Sequence, residues 1–74
     1  MAELRVVEIR GASIRLGQFL KLAGLVDAGS DAKVLLSQGD VWVNGEPEHR
    51  RGRQLRPGDL VTAGDERVQV AAEA

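Results

Sequence analysis

The spacing of apolar positions changes along the chain, and the changes divide it into elements. Leu4 to Ile9 reads Leu-Arg-Val-Val-Glu-Ile, β-branched and partly alternating, and Gly11 punctuates the run, which predicts a short first strand. Ser13 is placed to cap a helix. Behind it, Leu16, Phe19, Leu20 and Ala23 fall at i, i+3, i+4 and i+7, the stripe of an amphipathic helix. Gly24 takes the left-handed position that ends such a helix, with Leu25 as its hydrophobic companion. Asp27 to Asp31 supplies several N-cap candidates and two acids where a helix N-terminus favours negative charge, so a second helix is predicted to start there. Ala28, Ala32, Leu35 and Leu36 repeat the helical spacing, and Gly39 closes it.

From Asp40 the period drops to two. Val41-Trp42-Val43 alternates and runs into Asn44-Gly45, the strongest short hairpin signal. The two valines share one face and Trp42 takes the other. Pro47 interrupts the return strand, which is therefore short or at an edge. Pro57-Gly58-Asp59 marks another turn, and Leu60–Ala63 with Arg67–Val70 form a hairpin across Gly64-Asp65-Glu66. The tail from Ala71 to Ala74 carries no signal, and the chain shows no repeat, linker or low-complexity segment.

Length narrows the picture. Seventy-four residues allow one small domain spanning 1–74. Such a chain buries only about 60% of the surface its unfolded form exposes, which leaves a thin core and little room for a walled substrate cavity. Hydrophobic residues at 43% and charged residues at 28% are those of an ordinary soluble globular chain. No run approaches the ~20 apolar residues of a spanning helix, and the opening Met1-Ala2-Glu3-Leu4-Arg5 is not a targeting segment; the expected address is cytoplasmic, with no membrane partner. The absence of cysteine excludes disulfides, a thiol nucleophile and thiolate metal sites, and His49 is the sole histidine. With scattered carboxylates and no phosphate-cradling Gly-rich loop, neither catalysis, a cofactor nor a small-molecule substrate is expected.

The net charge of -1 contradicts the simple picture of a basic nucleic-acid binder, but its distribution is uneven. Residues 15 to 56 carry seven basic and five acidic side chains, and four arginines, Arg50, Arg51, Arg53 and Arg56, fall within seven residues.

At this point the residues resemble a known family. Arg15-Leu16 followed by Phe19-Leu20, Ala32-Lys33 followed by Leu35-Leu36, Gly39 with Val41, Val43, Asn44 and Gly45, and Leu55 leading into Pro57-Gly58-Asp59-Leu60-Val61 are similar, in order and spacing, to the RNA-binding domain named after protein four of the small ribosomal subunit, also called the αL motif. The motif core, 15–61, covers about three fifths of the chain, which looks like a short stand-alone bacterial member. The resemblance implies an α+β fold, two short packed helices against a small, mostly antiparallel sheet, with an RNA-facing surface made by the helix pair and the following hairpin. It implies roles for Arg15 at the start of the first helix, Lys33 in the second, and the Asn44-Gly45 turn. Two positions depart from the pattern: Ala28-Gly29 stands where many members have Ser-Arg, and Gly17 where an acid is common. The implied partner is structured RNA, ribosomal or transfer, held by phosphates and shape rather than base sequence.

The side chains themselves leave choices open. Arg50, Arg51 and Arg53 suit phosphate oxygens, with Gly52 allowing close backbone approach; the bland reading is a solvated charge run. Arg56 reads as structural beside its turn. Lys33 shares a helical face with Ser30 and Ser37 that could meet a phosphate or simply face water, and Lys21 and Gln18 offer the same on the first helix. Amides near Gly29 and Ser30 point to an anion site that Asp27 and Asp31 oppose. Trp42 either stacks on an unpaired base or packs over the first strand or the last hairpin. Two rival readings stand beside RNA binding. A ubiquitin-like sulfur carrier would share the Val-Asn-Gly and Pro-Gly-Asp turns, but its Gly-Gly end is replaced by Glu73-Ala74. A protein-interaction domain would set the arginines against an acidic partner.

Overall fold

Glycine chemistry and β-branching account for most element boundaries. The computed structural model describes residues 3–73, with residues 29 and 30 described by backbone alone. In chain order the elements are β1 (Leu4–Ile9), β2 (Ile14–Arg15), α1 (Leu16–Leu22), α2 (Gly29–Ser37), β3 (Val41–Val43), β4 (Glu46–Pro47), β5 (Gln54–Leu55), β6 (Leu60–Ala63) and β7 (Glu66–Ala72). The first strand occupies the span its β-branched run predicts. Helix α1 stops where predicted: Gly24 sits at φ 74°, its amide donates to the Lys21 carbonyl at 3.1 Å, and the Leu25 amide donates to the Leu20 carbonyl at 2.9 Å. Those paired bonds satisfy carbonyls that the last turn would otherwise leave open.

The helix starts differ from the expectation. Ser13 does not cap α1; its hydroxyl donates to Oε1 of Gln54 at 2.8 Å, and Arg15 holds the N-cap position without a side-chain bond. Ile14 and Arg15 instead pair antiparallel with Leu55 and Gln54. The free amides of Leu16 and Gly17 donate to the carbonyls of Arg53 and Arg51, each at 2.8 Å, so a remote loop does the work a capping side chain would do. Helix α2 also lacks a side-chain cap, and Ala28 lies exposed at its N-cap while Ala32 and Leu36 are buried.

Five strands form one sheet in the order β1-β7-β6-β3-β4, antiparallel except for the parallel pair β1 and β7, which runs from Leu4 opposite Arg67 to Ile9 opposite Ala72. That pairing explains why β7 continues through Ala71 and Ala72, residues without a strand signal of their own. The short β4 holds Pro47 at the edge, where a missing N–H breaks no ladder. Asn44 and Gly45, at φ 53° and 84°, make the tight turn between β3 and β4.

One face of the sheet packs on both helices. Val41, Val43, Val61, Val68 and Val70 meet Leu16, Phe19, Leu20 and Leu36 in one buried cluster, each full burial contributing about 1.5–3 kcal/mol before the entropy of ordering is counted. The register puts Leu4, Arg67, Thr62, Trp42 and Pro47 in a row on the opposite face, and Trp42 is half-buried there. Arg5, on the helix side of β1, donates to the Ala23 carbonyl at the C-terminus of α1 and pairs with Glu66 at 3.7 Å, tying the strand to the negative end of the helix. The architecture is therefore α+β, two short packed helices against a mostly antiparallel sheet. Among the described residues no helix is long and apolar enough to cross a membrane.

Candidate nucleic-acid interface

The arginine-rich segment follows β4 and returns to the helices at β5. Its shape is set by Glu48, whose amide donates to the Val41 carbonyl of β3 at 3.0 Å and whose side chain is turned inward, the residue only 6% exposed. The carboxylate accepts from the amides of His49 and Arg50, both at 3.1 Å, from Nε of Arg50 at 3.2 Å and from Nη1 of Arg53 at 3.0 Å. Hydrogen bonds from Arg50 are the largest cause holding its pKa down to about 2 against the opposing effect of burial, with Arg53 adding to the depression. Glu48 in turn raises the Arg50 guanidinium above its ordinary value. The three arginines read as phosphate contacts therefore have different surroundings. Arg53 is largely covered, with 30% of its side chain exposed, and paired with Glu48, while Arg50 remains 77% exposed although paired.

Arg51 behaves differently. Its carbonyl accepts from Gly17, it lines hollows bordered by both helices, and among the described residues it has no carboxylate partner. A Cβ on residue 17 would sit 3.3 Å from Cβ of Arg51 and 3.4 Å from its carbonyl oxygen, which gives a local reason for glycine at this position. On one side of Arg51 lies an open hollow of about 380 Å³ lined by Arg15, Gly17, Gln18, Lys21, Ala32 and Gly52. On the other lies a second, of about 410 Å³, lined by Lys33, Leu36, Ser37 and His49. Among the described residues no carboxylate lines either hollow. Among the described residues Arg15, Lys21, Lys33 and Arg51 have no acid within 4.0 Å. Four acids border other hollows: Asp27 and Asp31 one beside α2, and Glu8 and Glu73 another near β1. A chain of net charge -1 therefore presents one face on which five cationic or titratable side chains converge, counting His49.

Of the remaining sequence-predicted residues, Ser37 shares the Lys33 hollow and donates its hydroxyl to the Val34 carbonyl at 2.8 Å; the side chain of Ser30 lies outside the described residues, as does the Ala74 carboxyl. Asn44 is exposed, but its side chain is bonded within the chain: its Nδ2 donates to Oδ1 of Asp59 at 3.1 Å and its Oδ1 accepts from the Leu60 amide at 2.9 Å. Trp42 lies on the sheet face opposite the helices, apart from the cationic hollows. Arg56 braces its turn through its backbone, whose amide donates to Oδ2 of Asp59 at 2.8 Å. Sequence reasoning missed Glu48, and it noted Gly17 only as a departure from the family pattern, without its close approach to Arg51. The available signal for Glu48 was its spacing, an acid two and five residues before arginines in a run otherwise read as solvated.

A family model described as the S4 domain matches residues 7–71. The chain is 51% identical over 55 residues to the Bacillus subtilis protein named "Probable ribosome maturation protein RlbA", covering 74% of this chain and 78% of that one. It is 34% identical over 59 residues to YbcJ of Escherichia coli, named as a candidate RNA-binding protein, covering 80% and 84%. It is 40% identical over 60 residues to the small ribosomal subunit protein uS4m of Schizosaccharomyces pombe, which takes in 81% of this chain but only 18% of that protein.

Proposed function

Because this chain belongs to the S4 domain family, we propose that its cationic face is a non-catalytic binding surface for structured RNA, ribosomal RNA first among the candidates. The observation that carries this reading is Arg51, paired with no acid among the described residues and shared by two adjoining hollows whose other charged linings are Arg15, Lys21 and Lys33. Guanidinium and ammonium groups gathered in hollows that no described carboxylate lines neutralise phosphates and release counterions, which gives affinity without base specificity. Neither Phe19 nor Trp42 is on this face: Phe19 is wholly buried, and Trp42 lies across the sheet. With no Phe, Tyr or Trp offered to unpaired bases and His49 the one imidazole beside the arginines, the surface suits the phosphate track of a folded RNA better than a single strand. The names of two relatives, a ribosome maturation protein and a ribosomal subunit protein, favour ribosomal over transfer RNA.

The test is a titration of the protein against an RNA hairpin and a single strand of equal length at several salt concentrations. The hairpin is expected to bind more tightly, with Arg51→Ala lowering the salt slope by about one unit. Equal or weaker binding of the hairpin, or an unchanged slope in folded Arg51→Ala, overturns the reading. Sequencing RNA crosslinked to the protein in cells then distinguishes ribosomal from transfer RNA.

A further inference from the structure

We infer that Glu48, an acid within the candidate RNA-binding face, is a positioning residue for RNA binding: it folds the 48–53 loop so that Arg51 projects between the two cationic hollows. The inference rests on the RNA-binding reading above. Its starting point is an apparent contradiction. A carboxylate in a phosphate-binding loop opposes the ligand, and in a chain of net charge -1 its removal is electrostatically favourable to an anion. Yet Glu48 is the sole buried charged residue among those described, and it is surrounded by donors from the next two positions, His49 and Arg50, and from Arg53.

Those bonds have a geometric effect. They draw His49, Arg50 and Arg53 around one carboxylate, and the Arg53 amide closes the loop onto the Arg50 carbonyl at 3.2 Å. With both ends gathered, the carbonyls of Arg51 and Arg53 point at α1 and accept from Gly17 and Leu16. The same loop therefore seats the start of α1, beside which Arg15 stands, and directs the Arg51 side chain into both hollows. The close approach at Gly17 keeps the loop in register with the helix. Because the carboxylate is turned inward and its charge is met by Arg50 and Arg53, it opposes a phosphate far less than an exposed acid would.

The sign of one substitution separates this inference from charge counting. Glu48→Gln raises the net charge by one and keeps the side-chain shape. Charge counting expects tighter RNA binding; positioning expects weaker binding, by about tenfold, the worth of one charge-assisted contact. Three readouts on the full chain decide the matter: hairpin RNA affinity, amide hydrogen exchange at Leu16 and Gly17, and a double-mutant cycle with Arg51→Ala. If Glu48 acts through Arg51, the Leu16 and Gly17 amides exchange faster in Glu48→Gln while core amides stay protected, and Arg51→Ala costs little further in that background. Should Glu48→Gln fail to fold, Glu48→Asp keeps the charge but shortens its reach by a methylene, and a smaller effect of the same sign is expected. Equal or tighter binding by the folded variants, unaltered exchange at the two amides, or full additivity with Arg51→Ala overturns the inference. If the native protein binds no hairpin, the RNA reading falls and this one with it. If it binds and the folded variants bind as well, only the positioning role falls.

Discussion

Acid titration of Glu48 converts the geometry of its loop into a measurable stability. In the folded chain its pKa falls from the ordinary 4.5 to about 2, so the ionised form favours the native state. The resulting stabilisation is fully present above pH 4.5 and is lost as the pH falls from there through about 2. At about 1.36 kcal/mol per unit, the full shift corresponds to ~3.4 kcal/mol. Arg50, the largest contributor, is 77% exposed, so solvent screens part of that attraction and about 1.5–2 kcal/mol is the expected share. In a domain of this size that moves the thermal midpoint by roughly 6–16 °C. The perturbation is Glu48→Gln, which cannot ionise. Urea unfolding of both proteins, followed by circular dichroism and by the fluorescence of Trp42, gives their stability difference at each pH. The other carboxylates titrate in both chains and cancel. The difference should be largest at pH 7 and should lose more than half of its pH-dependent part by about pH 3, the sign set by a depressed native pKa. A difference that is flat over that range, or that grows on acidification, would refute the buried-carboxylate account.

The arginines should separate by the same logic. Arg53→Ala removes the donor 3.0 Å from Glu48 and is expected to cost about 1–3 kcal/mol in urea unfolding, whereas Arg51→Ala should stay within about 0.5 kcal/mol and weaken RNA binding instead. At the tight turn, Asn44→Gly keeps the left-handed backbone but loses both side-chain bonds, and Asn44→Ala adds strain of about 1–2 kcal/mol, so unfolding should rank native above Gly above Ala. Trp42→Ala should lower stability by about 1–2 kcal/mol and leave hairpin affinity unchanged, and Trp42 fluorescence should not respond to added RNA; quenching on RNA addition would return this residue to the binding surface.

What was legible in the sequence follows the range of the forces involved. Gly24, Gly39 and Asn44-Gly45 announce a left-handed backbone from their own chemistry, and Pro47 announces an edge because it lacks a donor, so the helix ends and the hairpin could be read locally. The helix starts could not. Ser13 is a good cap by composition, but the amides of Leu16 and Gly17 are met by a loop some thirty-five residues away, a solution that no local window contains. Ala28 has the right spacing for the buried stripe but precedes the first helical residue and stays exposed. The candidate site was legible as a composition, arginines on a loop beside two helices with Lys33 and Lys21 nearby. Its division of labour was not, because whether an arginine faces water or a carboxylate depends on where Glu48 is buried, and burial is decided by the fold.

The parallel pairing of β1 with β7 has a consequence for how the domain assembles. The other pairings in the sheet join segments no more than about twenty residues apart, but β1 must find a strand about sixty residues away, and that strand already pairs with β6. The ordering entropy of that closure is repaid only after β7 has docked. The expected outcome is that the first strand of the chain is recruited last on refolding, with the Arg5 contact to α1 forming at the same step. Pulse-labelled hydrogen exchange during refolding reads this order directly: protection across β1 lags behind protection across β3 and β6.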